Sequence, residues 1–189
     1  MITGESHFNE IFLDEVEIPA ENLIGAENNG WTVAQATLTS ERGLTILELS
    51  ERLRMSFRLL LKEALSEKPV GGRLIDDDEI RRSLVDIYAR TSALRSLVSN
   101  MLANVQVEGS AGTAPSMIKV YYSQLLRDFT ALGTRLGGID TQYWQPLLMG
   151  GGYETGDWMH DLLYSWSWSI AGGSNEVQYN IISERGLGL

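Results

Sequence analysis

Thr113-Ala114-Pro115-Ser116-Met117-Ile118-Lys119-Val120-Tyr121-Tyr122-Ser123-Gln124-Leu125-Leu126-Arg127-Asp128-Phe129-Thr130-Ala131-Leu132-Gly133-Thr134-Arg135-Leu136-Gly137-Gly138 carries its own start and stop. A hydroxyl residue and then a proline open it, where a helix tolerates both, and a glycine pair closes it. Between them Ile118, Tyr122, Leu125, Leu126, Phe129, Leu132 and Leu136 recur at three- and four-residue spacing, one apolar stripe along one helix. Such a stripe is stable only when other helices cover it.

Working outward, the chain offers those helices. From about Gly30 to Leu65 no proline intervenes, and Val33, Ala36, Thr37, Ile46, Leu49, Leu53, Phe57, Leu60 and Leu61 keep helical spacing over about 50 Å. Pro69-Val70-Gly71-Gly72 reads as the break after it. Asp76-Asp77-Asp78-Glu79 places acids where a helix N-terminus favours them, and Leu84, Ile87, Tyr88, Thr91, Leu94, Val98, Met101, Leu102 and Val105 mark the second helix. Gly109-Ser110-Ala111-Gly112 ends it. Beyond Gly138 a loop rich in Gly, Tyr and Pro, including Gly150-Gly151-Gly152, leads to a fourth helix over 157–170 and a short fifth over 175–184. Residues 8–18 alternate toward Pro19 as one strand, which alone is unstable and needs a partner from another chain or from sequence beyond this one. The expectation is an all-α, up-down-up-down four-helix bundle over 29–189, with a strand remnant before it and a short C-terminal helix after it.

At 189 residues and 43% hydrophobic content the chain suits one domain with a real core. A net charge of −10 without a basic run argues against nucleic acid or an anionic membrane surface as partner. No cysteine occurs, so disulfides and thiolate metal sites are excluded, and the cytoplasm is the default address. No stretch suggests a membrane span. Trp144, Trp158, Trp166 and Trp168 crowd the last quarter, as an oligomer interface or as the wall of a ligand site.

Candidate chemistry is sparse. A di-iron bundle needs paired Glu-x-x-His ligands. Only Asp157-Trp158-Met159-His160 has such spacing, and with His7 as the one other histidine no metal is expected. P-loop, nucleophile-elbow and zinc-protease motifs are absent. Two stretches remain. Gly172-Gly173-Ser174-Asn175 reads either as a plain joint between helices or as a helix N-terminus with exposed N–H groups that suits a phosphate-bearing ligand. Glu41-Arg42 reads as a solvent-facing pair, or as a carboxylate on an apolar wall whose raised pKa fits a proton acceptor.

The opening Phe12-Leu13-Asp14-Glu15-Val16-Glu17-Ile18-Pro19-Ala20-Glu21-Asn22-Leu23-Ile24-Gly25 with Asn29-Gly30-Trp31, the segment Thr39-Ser40-Glu41-Arg42, and the close from Ile170 through Gly172-Gly173-Ser174-Asn175-Glu176-Val177-Gln178 to Leu189 resemble the C-terminal half of acyl-CoA dehydrogenases. The resemblance implies that 1–28 are the end of that family's β-domain and a linker. It implies FAD as cofactor, an acyl-CoA substrate, an electron-transfer flavoprotein or similar acceptor, and assembly as a homo-oligomer or with a homologous subunit. The isolated fragment is expected to be inactive.

Residue roles come across by position. Many members carry the catalytic base as the Glu of Glu-Gly-Thr, and here that position is Gly172. A minority, isovaleryl-CoA dehydrogenase among them, place the base on the first long helix before an arginine, which corresponds to Glu41 before Arg42. Glu41 would then take the α-proton while the β-hydrogen leaves as hydride to the flavin. Arg42 would orient the base helix or the substrate, or be a buried ion-pair partner. Gly172 and Gly173 would lie against substrate, and Ser174, Asn175, Glu176, Gly137 and Gly138 against the flavin nucleotide. Two motifs depart: Arg-x-x-Phe-Gly is replaced by Glu67-Lys68-Pro69-Val70-Gly71-Gly72-Arg73, leaving Arg73 or Lys68 to take over its contact, and the glutamine of Gln-x-x-Gly-Gly is Thr134. The competing reading is a non-catalytic subunit paired with a competent homologue, and beyond it a helical interaction domain without flavin.

Overall fold

The computed structural model describes residues 1–6, 8–67, 71–108, 110–143 and 157–189, and within these the side chains of 38–44 and 108 lie outside the description. Three long helices dominate: α1, Gly30–Leu65; α2, Asp78–Glu108; and α3, Ala114–Gly137. Two short ones follow, α4, Trp158–Ser165, and α5, Asn175–Ile181. Cross-helix pairs fix the directions. Arg95 meets Glu51 at 2.7 Å and Tyr88 packs on Phe57, so α2 runs against α1. Arg135 meets Glu79 and Arg90 meets Asp128, each at 2.7 Å, so α3 runs against α2. Trp158 lies against Phe129 and Trp168 against Tyr122, which turns α4 against α3. The bundle is up-down-up-down, with α3 packed on all three others.

The α3 stripe is buried at every predicted position. Fully burying a ring such as that of Phe129 contributes about 2–3 kcal/mol. Opposite it stand Ile46, Leu49, Leu53, Leu60 and Ala64 of α1 and Ile80, Leu84, Ile87, Leu94, Val98 and Met101 of α2. Helix ends follow local chemistry. Asp77 accepts from the N–H groups of Glu79 and Ile80, capping α2, while Asp76 pairs with Arg73 instead. Pro115 occupies the first turn of α3 and Gly138, at φ 62°, ends it.

Five expectations are corrected. No strand forms over 8–18: Phe8, Ile11, Phe12 and Leu13 are exposed, and no residue there pairs with another segment, because a strand without a ladder has no stability of its own. Ala36 and Thr37 are exposed, since the first turns of α1 extend past the other helices. Tyr88 is 59% exposed, packing on Phe57 at the bundle surface. The fourth helix tightens into a 3-10 turn over Trp166–Ser169. There Ser165 and Ser167 donate to the carbonyls three residues back, at 2.7 Å each, competing with the α-helical ladder. The fifth helix likewise changes pitch, to a π turn over Ile182–Leu187.

Trp158 reports how closely α4 seats. A Cβ added at Gly133, in mid-helix α3, would lie 2.2 Å from the indole, so the ring fills the space a side chain would take. Next to it His160 is fully buried, its ring 3.2 Å from Glu5 Oε2 and 3.5 Å from Asp161 Oδ1, while Asp157 caps α4. The Asp157 to His160 spacing is thus a helix start. Among the described residues no three His, Asp or Glu side chains are grouped to hold a metal ion, and no helix is long and apolar enough to cross a membrane.

Candidate functional site

At the other end of α3 a cavity of about 390 Å³ opens. α1 gives it Thr45, Ile46 and Leu49, α2 gives Leu94, and α3 gives Pro115, Ile118, Lys119 and Tyr122. The far wall is Trp168, Ala171, Gly172, Gly173 and Gln178. Trp168 meets Tyr122 edge-on at 5.4 Å, so two aromatic planes form a corner of a largely apolar space.

The Gly172-Gly173 bend owes its shape to glycine. Their φ angles are +67° and +91°, a region side chains disfavour. At Gly172 an added Cβ would meet nothing within 4 Å, whereas at Gly173 it would meet Gln178 Nε2 at 2.6 Å. Gln178 Nε2 donates to the carbonyls of both, at 3.1 and 3.3 Å. Neither glycine N–H meets an acceptor among the described residues. Ser174 caps α5, its Oγ accepting from Val177 N at 3.4 Å.

Asn175 is turned inward. Its Oδ1 accepts from Lys119 Nζ at 2.8 Å and from Ser123 Oγ at 3.2 Å, which ties α5 to α3. Burial pushes the Lys119 ammonium below its usual range, with Glu176 opposing. The Glu176 carboxyl is held low by its own backbone N–H, then by the Ser174 hydroxyl, with Lys119 assisting.

Residues 28–187 match the family described as Acyl-CoA dehydrogenase, C-terminal domain. The chain belongs to the acyl-CoA dehydrogenase family. It is 34% identical over 188 residues to acyl-CoA dehydrogenase IpdE1 of Mycolicibacterium smegmatis, covering 100% of this chain and 44% of that protein. The crystal structure of an acyl-CoA dehydrogenase from Geobacillus kaustophilus superimposes with a TM-score of 0.78 at 20% identity, over 94% of this chain and 44% of that one. The ChsE4-ChsE5 complex from Mycobacterium tuberculosis gives 0.70 at 22% identity, over 91% and 44%. The chain therefore spans a little under half the length of these relatives.

Of the residues expected to serve an acyl-CoA dehydrogenase site, Gly172 and Gly173 line the cavity, while Ser174 caps α5 and Glu176 lies in its first turn. Gly137 and Gly138 lie elsewhere. A Cβ at Gly137 would strike Thr141 Cγ2 at 2.3 Å and come within 3.5 Å of Trp158, a packing reason, while Gly138 ends the helix at φ 62°, a backbone reason. Glu41 and Arg42 are on α1, but their side chains lie outside the described residues, as do Lys68 and Trp144. Arg73 is engaged by Asp76 and Arg135 by Glu79. Trp166 is at the surface with Arg127 over its ring at 4.9 Å. Trp168 belongs to the tryptophan cluster expected to form an interface or a ligand-site wall, and it walls the cavity, whereas Thr45, Lys119, Tyr122 and Gln178 were not foreseen. Gln178 left a trace in sequence, standing five and six residues after a glycine pair whose carbonyls need donors.

Proposed function

We propose that this chain is the C-terminal bundle of an FAD-dependent acyl-CoA dehydrogenase, that the cavity beside Gly172 receives the acyl thioester, and that Glu41 takes the α-proton. The supporting observation is the open space at Gly172, where many relatives in the family carry an acid, across from α1. Residue 41 precedes Thr45, a cavity-lining residue, by one helical turn and so belongs to the same face of α1. The apolar walls exclude water and favour the neutral form of a carboxyl group, which suits a base working near neutrality. The N–H groups of Gly172 and Gly173 are the donors that would polarise the thioester carbonyl.

FAD would approach the bend at the start of α5, where Gly172 has open space beside it and Ser174 and Glu176, with Asn175 anchoring the helix, would meet its nucleotide. Gly137 and Gly138 would reach a flavin only in an assembly. When bound, FAD accepts the hydride from the β-carbon. An electron-transfer flavoprotein or similar acceptor, and assembly with like or homologous subunits, complete this reading. The ChsE4-ChsE5 complex, with two different components, is in keeping with a second reading, a non-catalytic structural subunit paired with a competent homologue.

The test is Glu41→Gln in the full-length protein. Flavin should stay bound while acyl-CoA turnover falls ~100-fold or more, the usual contribution of a general base. Turnover at the wild-type rate would remove Glu41 from this role, and dependence on a co-purified homologue would favour the second reading.

A further inference from the structure

Gln178 stands out as a buried polar side chain that the proposed chemistry does not use. It is 3% exposed, lines the cavity, and spends its carboxamide nitrogen on two consecutive carbonyls, those of Gly172 and Gly173. Glycine pairs have more backbone freedom than any other dipeptide, and an N–H group that must meet a developing negative charge is effective only when held in place beforehand. The anchoring of α5 uses other contacts: Asn175 ties the helix to Lys119 and Ser123 of α3. Among the described residues no side chain other than Gln178 hydrogen-bonds to either glycine. Gly173 is shaped for this contact, since a Cβ there would sit 2.6 Å from the Gln178 nitrogen.

We infer that Gln178 is a positioning residue: by pinning the carbonyls of Gly172 and Gly173 it holds the bend in its left-handed form and keeps both amide N–H groups unbonded at the cavity wall, ready for the carbonyl oxygen of a thioester. The inference rests on reading the cavity as an acyl thioester site. Its consequence is kinetic. The fixed N–H groups matter most where charge grows on that oxygen, so Gln178 should act on kcat more than on KM.

Full-length enzyme carrying Gln178→Met, assayed with an acyl-CoA that the wild type oxidises, should lose about 10- to 100-fold in kcat with KM and flavin absorbance little changed. Gln178→Glu adds a readout that a mere packing role would not move. A carboxylate facing two carbonyls repels them, whereas the protonated acid donates as the amide does. The ratio of variant to wild-type kcat should therefore rise as pH is lowered through the pKa of that buried acid, which desolvation raises. Gln178→Met within twofold of the wild-type kcat would overturn the inference alone. So would joint loss of flavin and activity in both variants without recovery of the Gln178→Glu ratio at low pH. A wild type that binds flavin but oxidises no acyl-CoA would sink the parent reading and this inference together.

Discussion

Gly133 packs on an aromatic ring and Gly172 shares a cavity with two, yet they lack a side chain for opposite reasons. At Gly133 the missing Cβ is replaced by the Trp158 indole, with nowhere for an added methyl group to go. At Gly172 the same absence leaves open space beside Tyr122 and Trp168. One end of α3 is a close-packed joint and the other a cavity. The difference teaches that a glycine signals close approach or vacancy only through the residues that folding brings up to it.

The contrast can be broken at the packed end first. Trp158→Ala should cost about 3–5 kcal/mol of unfolding free energy in urea titration, as for other large buried aromatics. Gly133→Ala should cost about 2 kcal/mol, the overpacking penalty exceeding the helix-propensity gain of about 1 kcal/mol. In the Trp158→Ala background the same Gly133→Ala change should become neutral or stabilising, because the ring it strikes has gone. If Gly133→Ala costs the same in both backgrounds, the two residues are not matched.

At the open end Gly172→Ala should cost only about 1 kcal/mol, from placing a side chain at φ +67°, with no packing component. A loss comparable to that of Trp158→Ala would mean the space is filled, and would erase the contrast. The smallest effect concerns pH. Glu176 has a folded-state pKa below its usual 4.5, so its contribution is fully present above that value and is lost as pH falls through the lowered one. Because the carboxyl is exposed, Glu176→Gln should flatten only a shallow acid-side slope in stability; an unchanged slope would show that the Ser174 and Lys119 contacts do not hold in solution.

The correspondence between sequence and structure is closest where the signal is local. Gly30 and Leu65 bound the first helix as the apolar spacing predicts, Pro115 and Gly138 bracket the third, and each residue of its stripe is buried. Periodicity fails where the partner is missing or the competition is local. Residues 8–18 alternate like a strand but find no ladder, and serines at 165 and 167 pull the fourth helix into a tighter turn. In the site, the Gly172-Gly173 bend was legible as a turn before a short helix, and the structure sets it in a cavity wall. As cavity walls Lys119 and Tyr122 were not legible, since nothing in their own neighbourhoods distinguishes a cavity wall from core.

By itself the sequence determined the class of fold, the ends of the long helices, the family and the vacancy of the acid position at Gly172. Those follow from backbone propensity, the 3.6-residue period and residue-by-residue resemblance, all of which act along the chain. Only the tertiary structure decided that Gly133 and Gly137 serve Trp158 and Thr141, that Asn175 binds α5 to α3, and that Gln178 holds the bend. Those depend on which side chains approach within van der Waals and hydrogen-bond range once the helices pack, and a period of 3.6 residues carries no information about distances across a bundle.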